Sequence, residues 1–402
     1  MRSAVIRAAF AIVVVLSASA RADTKTLARC GQGFLEEVDG YRVLHLKGSP
    51  YEMGFQQGSL LKDDIKELVR FLFDVKAKEL KIDVAGMTVR PDAKKIIAGI
   101  ALLQKKFVPP RFFEEIQGVA DGAGMTVEEI TVANFIPEMF HCSGFAMSGS
   151  ATKDGTLYHG RILDYGCDWR LQDHAVLTIA EPDGKIPFVN VTYAGFIGSV
   201  TGMNAKHVSI GEMGGAGRGH WAGVPMAFLV RMALEDADDL DEAAAIFRDN
   251  PRTCEYYYVV ADGNSGKAVG MEAHWNRFNL VQMGELHPRL PHAMKDTVLL
   301  SAGDRYEELA KRVKEGIGTF DATSARELMS RPVAMKSNLH SVLFETKSSR
   351  MWVANASKDG QPAASQPYHE FVFLDLLKHK AESSALELPE PPQTPAVPPP
   401  NR

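Results

Sequence analysis

Several residue patterns that mark particular protein classes are scarce or missing from this sequence. Only four cysteines occur among 402 residues, and no CxxC pair or His-rich spacing predicts a metal site. Beyond residue 22 no apolar run is long enough to cross a membrane. The phosphate-loop pattern GxxxxGK[ST] is absent, and the formal net charge of −5 argues against a nucleic-acid partner.

The first 22 residues differ in composition from the rest of the chain. Arg2 and Arg7 precede the apolar run "AAFAIVVVLSASA", and Ala20 and Ala22 fit the small-residue rule for cleavage. We therefore predict a signal peptide over 1–22, export of the mature protein and no stable membrane insertion. Loss of the three arginines in this segment changes the formal charge from −5 to −8.

The four cysteines all lie in the predicted mature chain, at Cys30, Cys142, Cys167 and Cys254. In an exported protein they could form two disulfides, and one pair plus one or two chemically special cysteines is equally possible. A disulfide from Cys30 would join the N-terminal part of the chain to the remainder. Cys254 lies in a strand-like run, which favours a core or disulfide-bonded cysteine over a nucleophile.

Residue patterning divides the chain into a helical part and a sheet-rich part. A short strand at 41–48 precedes apolar residues at helical spacing, which predict helices over 49–80, 92–107, 109–124 and 125–136. From Cys142 onward, short segments rich in Val, Ile, Thr and aromatic residues are separated by Gly and "DG" turns, as in antiparallel hairpins. Later helices are predicted over 224–250, 304–316 and 323–331. This order indicates an α+β layered fold with helices covering mostly antiparallel sheets.

The segment "HCSGFAMSGSATKDGTLYHGRILDYG" carries the pattern with the clearest chemistry. Cys142 begins a strand of small residues, and the "KDG" turn returns the chain toward it. Arg161 and Asp164 end the returning strand, so both should lie close to the cysteine. A nearby guanidinium lowers the pKa of a thiol, and small residues let a substrate approach the backbone. On composition alone, a buried structural cysteine with a surface Arg–Asp pair is the favoured interpretation, because cysteine is often buried.

This segment resembles the nucleophile hairpin of the acyl-coenzyme A:6-aminopenicillanic acid acyltransferase (penicillin acyltransferase-like) family of the N-terminal-nucleophile (Ntn) hydrolases. Other segments resemble the same family, among them "GSPYEMGFQQGSLLKDDI", "GMNAKHVSIGEMGG", "RTCEYYYVVADGNSGKAVGMEA" and "SNLHSVLFETKSSRMWVANA". The resemblance covers most of 41–357. It implies the Ntn-hydrolase αββα four-layer sandwich with a helical N-terminal prosegment.

The resemblance also implies a mechanism and a division of the chain. The precursor would cut itself between His141 and Cys142, and the new α-amino group of Cys142 would act as base for its own thiol. The prosegment would be 23–141 (α chain), the catalytic part 142–380 (β chain), and a disordered Pro-rich tail would follow over 381–402. The two chains of one precursor would stay together. The expected substrate is a small acyl amide or peptide-like molecule, with no cofactor and no metal.

By carry-over from the family, Arg161 and Asp164 would orient the amine and help to bind the substrate carbonyl or acyl group. The chain departs from the family pattern where an oxyanion-binding Asn is common. "GEMGG" offers the backbone of Gly214 in its place, and "TVLLSAGDRYEEL" offers Ser301. Asn338 is a third candidate for the substrate or oxyanion site.

Further residues and other functions also fit the sequence. The Gly-rich run around His220 and Trp221 is either a surface loop or the rim of the substrate pocket. Instead of an amidohydrolase or acyltransferase, the chain could be a phospholipase B-like esterase. It could also be a secreted binding protein that keeps the fold with an uncut Cys142.

Overall fold

The computed structural model describes residues 24–79, 82–84, 87–89, 92–136, 142–215 and 219–391. The predicted signal peptide, His141 and the last eleven residues of the Pro-rich tail lie outside the described residues. Among the described residues, no helix combines the length and the apolar character that a membrane crossing requires.

The described strands, in chain order, are β1 (Thr24–Cys30), β2 (Gly33–Val38), β3 (Tyr41–Gly48), β4 (Ile82–Val84), β5 (Met87–Val89), β6 (Ser143–Gly149), β7 (Gly155–Leu163), β8 (Ala175–Pro182), β9 (Phe188–Tyr193), β10 (Thr201–Asn204), β11 (Val208–Gly214), β12 (Glu255–Asp262), β13 (Lys267–His274), β14 (Phe278–Gln282), β15 (Thr297–Leu300), β16 (His340–Glu345), β17 (Arg350–Asn355), β18 (His369–Val372) and β19 (Leu386–Glu387).

The described α-helices are α1 (Pro50–Leu60), α2 (Lys62–Phe71), α3 (Ala77–Glu79), α4 (Ala93–Gln104), α5 (Pro110–Ala123), α6 (Val127–Asn134), α7 (Met226–Asp236), α8 (Leu240–Asp249), α9 (Asp304–Gly316), α10 (Ala322–Glu327) and α11 (Phe373–Leu376). A π-helical segment follows α2 at Leu72–Lys76, and short 3₁₀ segments occupy Cys167–Trp169, Leu171–His174, Thr346–Ser348 and Ala363–Ser365.

Two sheets pack face to face and are covered by helices on their outer sides. The larger sheet has the order β14-β13-β12-β11-β10-β9-β8-β3-β2-β1-β19, and the smaller has the order β15-β6-β7-β16-β17-β18. Neighbouring strands are antiparallel except for the pairs β3–β8 and β1–β19. One apolar cluster joins the larger sheet to α1, α5, α7 and α8, and another joins the smaller sheet to α9 and α10. The predicted four-layer αββα arrangement is confirmed.

Helix α1 and helix α5 pack with their backbones in direct contact. A Cβ added to Gly54 or Gly58 of α1 would lie 2.0 or 2.4 Å from carbonyl oxygens of α5, and Gly118 and Gly122 of α5 are equally tight against α1. Ser49 and Glu52 form a capping box that begins α1. Gly54 and Gly58, the last two glycines of "GSPYEMGFQQG", therefore serve helix packing.

The part of the chain before Cys142 contains more strand than the sequence predicted. One strand was expected at 41–48, whereas β1, β2 and β3 form an antiparallel meander in the larger sheet. The sequences of β1 and β2 do not alternate regularly between polar and apolar residues, because the polar residues Thr26 and Glu36 occupy buried positions. The predicted helix over 49–80 also divides at Leu61, which leaves helical geometry at φ −117° and ψ 24°.

The beginning of the predicted Pro-rich tail adds a short extended segment to the larger sheet. Leu386 and Glu387 form β19, which pairs in parallel with β1. The sulfur of Cys30 donates to the carbonyl oxygen of Pro389 at 3.1 Å. Proline lacks only its own N–H, so the non-proline residues here can still complete the edge of a sheet.

Candidate active site

Strands β6 and β7 form the predicted hairpin, and their register sets the geometry around Cys142. Ser143 lies opposite Ile162 and Gly144 lies opposite Arg161, so Cys142 is level with Leu163 and Asp164 follows one residue later. Gly160 is required on the helix-facing side, because a Cβ there would lie 2.3 Å from the ring of Phe145. The hairpin therefore brings Cys142, Arg161 and Asp164 to one end of the smaller sheet.

Cys142 lies at the inner wall of a cavity of about 410 Å³. The cysteine itself is buried and belongs to the apolar cluster between the two sheets. Apolar side chains form part of the cavity wall, and they include Met213, Met271, Val281, Leu290 and Leu300. A buried thiol that faces a cavity of this size can meet a small molecule while most bulk water is kept out.

Arg305 is a site residue that the sequence analysis missed. Its guanidinium donates to the carbonyl oxygen of Cys142 at 3.4 Å and to the hydroxyl of Ser143 at 3.1 Å. It also forms a 2.6 Å ion pair with Asp164. Arg305 lies in the first turn of α9, where the helix dipole disfavours a positive charge. This unfavourable position was the one feature of the sequence that could have suggested a role for Arg305.

Asp164 is held by two donors in a buried position. One carboxylate oxygen accepts from Arg305, and the other accepts from the backbone N–H of Met335 at 2.9 Å. Burial raises the pKa of Asp164 to about 6, although the Met335 N–H and the charges of Arg305 and Arg161 act in the opposite direction. The ionised form of this carboxylate therefore depends on its two arginines.

Arg161 is directed into the space between the sheets. Its guanidinium donates to the carbonyl oxygen of Ile162 at 2.6 Å and forms a 3.5 Å ion pair with Glu212 of β11. Both side chains are fully buried, and neither is among the described residues that line the cavity. Arg161 thus affects the cavity end of the hairpin only indirectly, because its positive charge acts to lower the pKa of Asp164.

The three further site candidates have different positions. Gly214, at the end of β11, and Ser301, after β15, both line the cavity with Cys142. The hydroxyl of Ser301 lies 2.7 Å from that of Ser143. Asn338 is fully buried, is not among the described residues that line the cavity, and its amide nitrogen donates to the carbonyl oxygens of Leu163 and His340. Because both of its N–H bonds are engaged there, Asn338 supports the backbone, and its candidacy as an oxyanion donor is withdrawn.

The other open sequence questions also have structural answers. The four cysteines of the described chain form no disulfide with one another, which corrects the suggested tether from Cys30. The ring of His220 stacks on Trp275 at 4.1 Å, and neither His220 nor Trp221 is among the described residues that line the cavity. Cys254 is buried beneath that loop, with its sulfur 3.7 Å from the His220 carbonyl oxygen.

A polar cluster forms one side of the cavity. The carboxylate of Glu272 accepts from Arg289, and the guanidinium of Arg289 donates to the hydroxyl of Tyr257 at 2.8 Å. That hydroxyl in turn donates to Glu255. All four residues line the cavity, so a bound molecule meets apolar walls and a hydrogen-bonding patch together.

The central part of the chain is similar to a known protein family. Residues 150–287 match the acyl-coenzyme A:6-aminopenicillanic acid acyl-transferase family. The family resemblance predicted from the sequence is confirmed. The matched region contains Arg161, Asp164 and Gly214, and it begins eight residues after Cys142.

Three relatives show how far the similarity extends. Protein dcd1A of Dictyostelium discoideum is 28% identical over 357 residues, which cover 79% of each chain. The 40 kDa form of acyl-coenzyme A:6-aminopenicillanic-acid-acyltransferase of Emericella nidulans is 26% identical over 276 residues, covering 66% of this chain and 72% of that one. The N-acylethanolamine-hydrolyzing acid amidase of Cavia porcellus is 24% identical over 192 residues, covering 44% of this chain and 52% of the amidase. An amidase and an acyltransferase, the two enzyme classes predicted from the sequence, are therefore both among the relatives.

Proposed function

We propose that this chain is an exported, self-cleaving cysteine Ntn hydrolase that hydrolyses or transfers acyl groups at linear amide bonds. The observation that carries the proposal is the position of Cys142, at the head of β6 and facing a largely apolar cavity. The Arg305–Asp164 ion pair beside its carbonyl oxygen would hold the cysteine backbone in place. The names of the amidase and acyltransferase relatives support the reaction class.

Self-cleavage is the first step of the proposed mechanism. The Cys142 thiol would attack the carbonyl carbon of His141, and the peptide C–N bond would break to give a thioester and a free α-amino group. Water would then hydrolyse the thioester, which releases the His141 carboxylate and restores the thiol. An α-amino group ordinarily has a pKa of roughly 8, so it can then serve as the base for this thiol.

The same groups would carry the reaction with substrate. The α-amino group would accept the thiol proton while sulfur attacks the amide carbon, and it would then return the proton to the departing amine. Gly214 and Ser301 line the cavity beside Cys142 and are the proposed oxyanion donors. Water or a second amine would take the acyl group from Cys142. Arg305 would orient the cysteine backbone, with Asp164 holding Arg305 and Arg161 helping to keep Asp164 ionised.

The cavity walls indicate the class of substrate. The apolar side of the cavity suits an acyl group, and its volume is within the range of small-molecule sites. The cluster of Glu255, Tyr257, Glu272 and Arg289 offers donors and acceptors to a polar end of the same molecule. We therefore infer a small acyl amide with one apolar and one polar end.

Intact mass spectrometry of the purified protein tests the proposal. We expect the wild-type protein to show two chains divided before Cys142 and to form an acyl-enzyme with a thiol-reactive acyl probe. The Cys142→Ala variant should remain one chain and should not react. Cys167→Ala is the matched control, because Cys167 is more exposed, lies in the same apolar region and should not be required.

Two results would count against the proposal in different ways. A single uncut wild-type chain that resists the acyl probe would favour a binding protein. Cleavage of lipid esters in preference to N-acyl amides, measured on matched substrate panels, would favour the phospholipase B-like esterase.

A further inference from the structure

A glutamate and two histidines converge outside the candidate active site. Glu36 lies on β2, His45 lies on the neighbouring strand β3, and His379 follows α11 near the end of the described chain. One carboxylate oxygen of Glu36 is 2.9 Å from Nε2 of His45 and 2.7 Å from Nδ1 of His379. The ligand atoms of all three residues lie within 4.8 Å of one another.

The surrounding structure fixes two of these side chains and leaves the third accessible. Phe34 lies opposite His45 in the β2–β3 pair, and its ring stacks on the imidazole at 4.0 Å. The exposed side-chain fractions are 1% for Glu36, 9% for His45 and 30% for His379. Glu36 and His45 are therefore held in place, and the partly exposed His379 leaves a path by which an ion can enter the site.

We propose that Glu36, His45 and His379 bind one divalent transition-metal ion, with Zn²⁺ as the best match. Two imidazole nitrogens and a carboxylate are a common three-residue set for zinc, with a fourth position left for water. Tetrahedral bonds of about 2.0–2.2 Å place neighbouring ligand atoms about 3.3 Å apart. The separations of 2.7 and 2.9 Å from the Glu36 oxygen would therefore have to widen by about half an ångström. The separation between the two histidine nitrogens, which is at most 4.8 Å, would have to approach the same value through a small movement of the partly exposed His379 ring.

The ion would connect two distant parts of the sequence. Glu36 and His45 precede Cys142, whereas His379 belongs to the segment that leads to β19 on the edge of the larger sheet. The ion would thus fasten the C-terminal segment to the first strands. If the proposed cleavage before Cys142 takes place, the same ion would join the two resulting chains. Metal binding itself does not depend on that cleavage.

Zinc titration of the full chain tests the proposal. The protein would be stripped with EDTA, titrated with Zn²⁺ by calorimetry and analysed for bound metal after dialysis. We expect one Zn²⁺ per chain, a higher melting temperature with the ion, and visible d–d absorption when Co²⁺ replaces it. The Cys142→Ala protein should bind equally well, so this result is separable from self-cleavage.

The His379→Gln variant separates a metal site from a simple hydrogen-bonded contact. Glutamine can still donate to Glu36 but is a poor zinc ligand, so affinity should fall at least about 100-fold, more than the loss typical of outer partners. His292→Gln is the matched control, because His292 pairs with Glu307 at 2.7 Å on the surface. Wild-type protein that takes up no Zn²⁺, or His379→Gln protein that binds as tightly as wild type, would overturn the proposal.

Discussion

Two arginine–carboxylate pairs involve residues at the end of the hairpin strand β7, and the two pairs lie in different surroundings. Arg161 and Glu212 form the inter-sheet pair, in which neither side chain is exposed. Arg305 and Asp164 form the cavity pair, in which the arginine is 15% exposed and the carboxylate is fully buried. His159, on the same strand as Arg161, makes a 2.8 Å contact to Ser209, and burial lowers the pKa of its ring to about 3.

The comparison shows that two pairs of the same residue types, an arginine and a carboxylate, can have different roles in one protein. A buried ion pair loses hydration on both partners, and it is weak support for stability unless its geometry and further hydrogen bonds compensate. The inter-sheet pair spans β7 and β11 and so fixes how the two sheets meet. The cavity pair contacts the carbonyl oxygen of Cys142 and is positioned to affect chemistry.

The largest effect is expected at the inter-sheet pair. Arg161→Met leaves the Glu212 carboxylate buried without this guanidinium, and the free energy of unfolding should fall by about 3–5 kcal/mol. Urea denaturation followed by circular dichroism, in the uncut Cys142→Ala background, measures this change. A single variant as stable as its parent would contradict the prediction.

The double variant Arg161→Met/Glu212→Met is the matched control, since two apolar side chains of similar length remove both buried charges. Most of the lost stability should return. With Cys142 restored, we expect this variant to cleave itself more slowly, because Asp164 has lost one of its two supporting charges. Unchanged cleavage would assign Arg161 to folding alone.

The next effect is expected at the cavity pair and concerns rate. Arg305→Gln removes the donor to the Cys142 carbonyl oxygen, and we expect kcat to fall about 100-fold, as when one positioned donor is lost from an active site. Lys311→Gln, an exposed position on the same helix, is the control. Steady-state rates on an N-acyl amide measure both variants, and a normal rate for Arg305→Gln would remove it from the proposed machinery.

The smallest effect is the pH dependence of the cavity pair. With the pKa of Asp164 near 6, activity should decrease as pH falls through 6, reaching about tenfold loss one unit below. The folded pKa is raised above the ordinary value of 3.8, so the folded state binds the proton more tightly. The contribution of Asp164 to stability is therefore greatest below about pH 4 and is lost as pH rises through 6.

Asp164→Asn should remove this pH dependence of stability, which unfolding experiments across pH 4–7 would show. A wild-type pH–rate profile that stays flat from pH 7 to pH 5 would mean that Asp164 does not control the reaction. The comparison of the two pairs would then rest on stability alone.

The elements of the hairpin were predictable because their signals are local. The "KDG" turn and the alternating residues of β6 and β7 predict two paired strands, and the register brings Arg161 and Asp164 back to Cys142. The strands β1 and β2 were not predicted, since buried polar residues such as Glu36 hide the alternation. Arg305 was assigned to a helix correctly, but nothing local shows that its side chain turns toward residue 142.

The sequence by itself determined the layered α+β class and the hairpin, which follow from periodicity and turn residues that act over a few neighbouring positions. The choice of Cys142 as the candidate nucleophile came from the family resemblance of that hairpin. Only the tertiary structure decided that Arg305 joins the site, that Asn338 does not, and that Glu36, His45 and His379 meet. Contacts between residues more than a hundred positions apart depend on how strands order within the sheets, and no short pattern in the chain encodes that order.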